Sequence, residues 1–263
     1  MFAINLNPLL PLRSAADEGA EQLTQILFGE LFYIIEKAER WVCIRNVADN
    51  YEGWVDKKMI TTIDQLEFTH LLQAPLSFVS EPLTQARIDG ENIYLPMGSF
   101  IRDYDRSTES FKMADKVFSI SLSSVAAAPT DKSVTGLMHI ARRLLNAPYQ
   151  WGGKSILGID CSGLTQVAYR MEGVNIPRDA RQQIQHGLAI HSLSDAKTGD
   201  LIFFATADEK VKHVGIYVEP LKVLHASGYV HIDDLDENGN ILSKITSYKH
   251  YQLAGIRRYI SKI

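Results

Sequence analysis

Asp160-Cys161-Ser162-Gly163 follows a turn-rich stretch, Pro148-Tyr149-Gln150-Trp151-Gly152-Gly153, and precedes Leu164, Val167, Ala168 and Met171 at helical spacing. The pattern predicts a glycine-bearing turn that delivers a cysteine into the first turn of a helix, with Gly173 closing that helix. A sulfur at this position lies beside N–H groups that have no partner within the helix, at the positive end of its dipole. Both favour the thiolate, the nucleophilic form of cysteine. Further on, His213 stands in His-Val-Gly-Ile-Tyr and His225 in Val-Leu-His-Ala-Ser-Gly, two strand-like runs joined by a turn at Pro220-Leu221-Lys222. Paired strands at that spacing bring both imidazoles to one face. Cys161 is then the candidate nucleophile, His213 the base, and His225 the group that fixes the base's orientation and tautomer.

Working outward, a helix is expected before the turn, capped by Thr130, Asp131 or Ser133, with Leu137, Ile140, Ala141, Leu144 and Leu145 on its apolar face. After the cysteine helix, Ile176-Pro177-Arg178-Asp179 opens a short helix over 180–186. Strands follow at 199–204, along the histidine hairpin, and near 230–232 and 254–259. Helices first and antiparallel strands after predict an α+β domain over 126–263. The cysteine-then-histidine order is that of papain-like folds, with the cysteine leading a helix and the histidine on a facing sheet.

The N-terminal half differs in texture. Residues 1–65 read as short strands at 23–30, 31–36, 41–45 and 53–56, divided by Asp49-Asn50 and Glu52-Gly53, which suits a small barrel. Residues 14–25 also suit a helix by composition. Strand candidates at 76–79, 93–96, 99–101 and 117–120 predict a second small β domain over 66–125, and 123–130 reads as a linker.

The chain has 263 residues and a net charge of -4, with no basic footprint for nucleic acid. No apolar run reaches membrane-spanning length, and the N-terminus lacks the pattern of a signal peptide, so a cytoplasmic protein is expected. Cys43, in Trp-Val-Cys-Ile-Arg, reads as a half-buried strand residue, so the two cysteines form no disulfide framework. No Cys/His pair has zinc-ligand spacing; no cofactor or metal is expected.

Tyr149-x-Trp-Gly-Gly, Asp-Cys-Ser-Gly163, Pro-Arg-Asp-Ala180, Gly-Asp-Leu-Ile-Phe-Phe204, His-Val-Gly-Ile-Tyr217 and His225 together resemble the NlpC-type cell-wall cysteine peptidases, in that family's order. Phe-Gly-Glu30, Trp-Val-x-Ile-Arg45 and Tyr-Glu-Gly-Trp-Val-Asp56 resemble the bacterial SH3-like barrel, and the second β domain is expected to be SH3-like too. The resemblance implies hydrolysis of the γ-D-glutamyl–diamino acid bond in murein stem peptides, with the Cys161 N–H and the Tyr149 hydroxyl at the oxyanion.

Barrels ahead of this domain, without a leader, resemble the subgroup that recycles murein peptides, in which the barrel closes one end of the cleft and substrates need a free N-terminal L-alanine. By motif, Asp160 then faces the L-alanine ammonium and Ser162 the D-glutamate. Tyr149, Trp151 and Arg178 line the glutamate subsite, with Arg178 on its α-carboxylate. Tyr51, with Glu21 or Glu18, is expected at the ammonium. A murein-derived peptide is the expected partner of a monomer. The rival expectations are an exported enzyme acting on intact wall and a non-catalytic peptide-binding module.

Overall fold

The computed structural model describes residues 1–206, 210–243 and 252–260, and the chain divides into two compact units. The first comprises residues 1–128 together with 154–156; the second comprises 129–153 and 157–263.

In the first unit, a seven-stranded sheet runs in the order Gln22–Leu27, Leu9–Arg13, Glu52–Asp56, Trp41–Asn46, Leu31–Lys37, Phe2–Ile4, Thr61–Ile63. It wraps Leu10, Leu12, Ile26, Phe32, Val42, Ile44 and Val55, with Tyr51 packed against them. Residues 14–25 form no helix. Ser14 N–H donates to the Glu21 carbonyl (2.9 Å), closing a loop that returns the chain as strand Gln22–Leu27 beside Leu9–Arg13. Alternation of buried Leu10 and Leu12 with half-buried neighbours fits that pairing better than a helical stripe.

The second β part forms a four-stranded and a three-stranded sheet. Its core takes Ile4, Phe28 and Leu31 from the first part and joins them to Val79, Ile101, Phe111 and Phe118. Phe28 meets Phe118 edge-on at 5.0 Å, and Phe118 stacks on Phe111 at 5.0 Å. The two β parts therefore share apolar packing across the boundary expected near residue 65. A helix that the strand reading missed, α1 (Gln65–Gln73), begins there. Asp64 caps it by accepting from Glu67 N–H at 2.8 Å. The expected linker is partly strand: Val125–Ala127 pairs with Leu76–Val79.

In the second unit, α2 (Val134–Arg143) starts at Ser133, whose hydroxyl accepts from Gly136 N–H (3.1 Å). Helix α3 (Cys161–Met171) is buried along its whole length, and α4 (Ala180–Gln183) follows. These helices accompany an antiparallel sheet in the order Leu188–Ile190, Gln252–Arg258, Leu201–Ala205, Val211–Val218, Lys222–Ser227, Tyr229–Leu235, Ile241–Leu242. The architecture is α+β, as expected. Helix α3 is tied at its C-terminal end, where the Glu172 carboxylate accepts from Ser133 N–H (2.9 Å) and the Tyr169 hydroxyl donates to the Gly199 carbonyl.

Residues 154–156 bring a buried cation into the first unit. Lys154 Nζ lies 3.7 Å from Glu30 Oε2, and both side chains are 0% exposed. Glu30 also accepts from Leu27 N–H (2.6 Å) and Asn46 Nδ2 (3.3 Å). Removing one partner of a buried ion pair strands the other, whereas removing both does not. Lys154→Met is therefore expected to destabilise folding by about 3 kcal/mol in urea denaturation, with most of the loss recovered in the Lys154→Met/Glu30→Gln double variant. A double variant no more stable than the single one would contradict the pairing.

Candidate active site

The cysteine motif is held by one carboxylate. Asp160 caps α3: its Oδ1 accepts from Gly163 N–H (2.7 Å) and its Oδ2 from Gly152 N–H (2.8 Å). Arg178 clamps both oxygens, NH1 to Oδ1 at 3.0 Å and NH2 to Oδ2 at 2.6 Å, and NH1 also donates to Ser162 Oγ at 2.7 Å. Gly163 has no alternative here, because a Cβ would lie 2.2 Å from the Gly153 carbonyl oxygen. The turn and the helix start are thus locked together, and Cys161 is the first helical residue, 6% exposed.

The other half of the site comes from three adjacent strands. The N–H groups of Val214, the residue after His213, and of Ser162 lie close enough to Cys161 to favour its thiolate. His213 Nε2 is 2.7 Å from His225 Nδ1, as the hairpin predicted. His225 pairs across the next strand with His231, with ring centroids 4.6 Å apart. Two residues along that strand, on the same face, Asp233 Oδ2 sits 3.3 Å from His225 Nε2 and 3.1 Å from His231 Nε2. Gly215 makes room for this stack, since a Cβ there would come within 2.3 Å of Val223 and 3.0 Å of the His225 Cβ. Among the described residues, His225, His231 and Asp233 are the group whose donor atoms converge closely enough, within 4.8 Å, to hold a metal ion. Hydrogen bonds already join them.

Electrostatics correct one expectation. Burial, followed by the charge of Asp160, pushes the Cys161 thiol up to about 12, outweighing the backbone N–H groups and Arg178, which pull it down. Burial also holds the His213 imidazole well below its ordinary 6.5. His225 is lowered too, by burial against the opposing pull of Asp233. Burial therefore opposes the thiolate expected from the helix terminus alone, and opposes the imidazolium of His213 in the same way. A thiol and an imidazole buried in this way suit general base catalysis, in which the imidazole takes the thiol proton as sulfur attacks. Cys43, half-buried, is also raised, by burial and then by Glu52 and Glu36.

Of the other expected residues, Trp151 is 60% exposed, too open for a core tryptophan. Tyr149 is half-buried, and its N–H donates to the Gly228 carbonyl (2.8 Å). Asp160, Ser162 and Arg178 are buried and bonded to one another. Glu21 is exposed and Tyr51 half-buried, both in the first unit, as is exposed Glu18, which pairs with Arg40 at 3.0 Å. His231 and Asp233 were missed, although the alternation Tyr229-x-His231-x-Asp233 after His225 places both on one strand face.

Residues 146–248 match the NlpC/P60 family, and residues 12–60 match the bacterial dipeptidyl-peptidase Sh3 domain. The chain is 31% identical to dipeptidyl-peptidase 6 of Lysinibacillus sphaericus, over 90% of this chain and 93% of that protein. It is 29% identical to the gamma-D-glutamyl-L-lysine dipeptidyl-peptidase of Bacillus subtilis, over 77% of this chain and 71% of that one. A crystal structure of an NlpC/P60 family protein from Bacillus cereus matches the fold with a TM-score of 0.84 at 22% identity, covering 99% of this chain and 100% of the other.

Neutral buried histidines make stability depend on acid. Folded His213 and His225 hold off a proton that the unfolded chain accepts near pH 6.5, so the unfolded state binds more protons below that value. Their stabilising contribution is full above about pH 6.5 and is lost as pH falls through the lower folded values. Thermal unfolding between about pH 7 and pH 5 should therefore show Tm falling less steeply for His213→Asn than for the unmodified protein. Equal slopes would contradict a neutral buried His213.

Proposed function

We propose, from the premise that this chain is a member of the NlpC/P60 family of cysteine peptidases, that it hydrolyses the γ-D-glutamyl–diamino acid bond of short murein peptides. Its substrates carry a free N-terminal L-alanine, and its product is L-Ala-γ-D-Glu. The observation that carries this reading is the meeting of two features in one chain: an NlpC/P60 domain with Cys161 at a helix start and a bonded His213–His225 pair, and a match to the Sh3 domain of dipeptidyl-peptidases. Relatives named gamma-D-glutamyl-L-lysine dipeptidyl-peptidase support the same bond.

Cys161 attacks the γ-carbonyl as His213 removes its proton; the resulting imidazolium then protonates the leaving amine. The Cys161 N–H, at a helix start, and the Tyr149 hydroxyl serve the oxyanion. Exposed Trp151 and half-buried Tyr149 offer aromatic surface to the substrate. The roles of Asp160 and Arg178 are revised: each already neutralises the other inside the protein, and breaking that pair for a ligand would cost several kcal/mol. We assign them to holding Ser162 and the Gly152 turn in place, with Ser162 facing the glutamyl group. The free-amine requirement is assigned, on resemblance, to Tyr51 and Glu21. A place in cytoplasmic recycling of released peptides belongs to the same proposal.

Mass spectrometry of purified protein with L-Ala-γ-D-Glu-L-Lys, its diaminopimelate form and their N-acetylated counterparts tests this. Cleavage of the free peptides at least about 100-fold faster than the acetylated ones is expected, with none by Cys161→Ala. Equal cleavage of both would overturn the free-amine requirement and favour an enzyme of intact wall. Cleavage of neither would overturn the substrate.

A further inference from the structure

We propose that Asp233, with His231 behind it, is the outer positioning residue of the catalytic relay, fixing the tautomer in which His213 can act as a base. The inference rests on the peptidase reading for its kinetic consequence, and on hydrogen-bond geometry alone for its structural one.

The direction of the relay follows from the outside inward. His231 Nδ1 faces the Tyr229 carbonyl at 2.8 Å, and a carbonyl only accepts, so Nδ1 carries a proton. His231 Nε2 faces Asp233 Oδ2 at 3.1 Å, so one further proton lies between those two atoms. Whichever atom holds it, Oδ2 keeps a lone pair for its second neighbour, His225 Nε2 at 3.3 Å. His225 therefore carries its proton on Nε2, and, being neutral, presents a bare Nδ1. That atom is 2.7 Å from His213 Nε2, which must then be the N–H donor. Neutral His213 is left with its lone pair on Nδ1, the nitrogen assigned here to the Cys161 thiol.

Every member is at least nine-tenths buried: Asp233 at 0%, His225 at 2%, His213 at 5% and His231 at 9% exposure. Water is therefore a poor substitute for a lost partner. Without Asp233, the contact that fixes the tautomer of His225 from outside is lost. The reversed one would donate from Nδ1 to His213 and place the proton of His213 on the nitrogen that has to accept. His231 holds Asp233 in place and shares a proton with its oxygen, so the carboxyl is not left without a partner.

The test uses Asp233→Leu and Asp233→Asn in the full-length protein. Imidazole nitrogen NMR of histidine-labelled protein is expected to find His213 as the Nε2–H tautomer in the unmodified chain and as a mixture in Asp233→Leu. With L-Ala-γ-D-Glu-L-Lys, kcat for Asp233→Leu is expected to fall about 100-fold with KM within about 2-fold, because the lost order matters only once proton transfer begins. Asn retains an acceptor for His225, so Asp233→Asn is expected to keep the tautomer and most of kcat. If Asp233→Leu fails to fold, His231→Leu, which releases Asp233 from its tether, is read in the same way. A folded Asp233→Leu, or in its place His231→Leu, with unmixed His213 and undiminished kcat would overturn the proposal. If the unmodified protein cleaves no such peptide, the substrate reading falls, while the NMR tautomer still decides the relay.

Discussion

The site depends on burying a thiol and an imidazole together, where burial opposes the charged form of each. At Cys161, burial and then the charge of Asp160 raise the thiol from the ordinary 9.0 to about 12. The N-terminus of α3 acts the other way, but a terminal helix dipole contributes about 0.3–1 kcal/mol, up to about 2 in partly buried settings. Burial wins. On this reading the nucleophile rests as a thiol and the base is free to accept. Charge then appears only when a carbonyl arrives to receive it, where the Cys161 N–H can stabilise the oxygen.

Such a design needs its parts placed by something other than their own attraction, and the chain supplies two clamps. On the helix side, Asp160 collects N–H groups from Gly152 and Gly163 and both arms of Arg178, so turn, helix start and the segment before α4 meet at one carboxylate. On the sheet side, Asp233 collects His225 and His231. Each clamp is a buried carboxylate surrounded by donors, the arrangement in which burying an acid is least costly. Two glycines allow the close approaches, Gly163 beside the Gly153 carbonyl and Gly215 beneath His225.

Much of this was legible in the residues. Cys161 at a helix start, the hairpin bringing His213 to His225, and the Ser133 cap of α2 are local signals with short-range causes: a cap, a period, a turn. What spacing does not show is long-range: that Arg178 pairs with Asp160, and how much protein surrounds Cys161. The shared core of Ile4, Phe28 and Phe118 is invisible for the same reason, since it joins residues far apart in the chain. Asp233 and His231 were legible as an alternation but looked like an ordinary polar strand until the register paired them with His225.

The claim on which the account turns is the neutral resting pair, and the most direct measurement is the ultraviolet thiolate absorbance of Cys161, taken as the difference between the unmodified protein and Cys161→Ala across pH. The account predicts no thiolate signal from acid through neutral pH, with Cys161 ionising only in strongly alkaline solution. A full thiolate signal already present near pH 6, titrating together with an imidazolium, would contradict it.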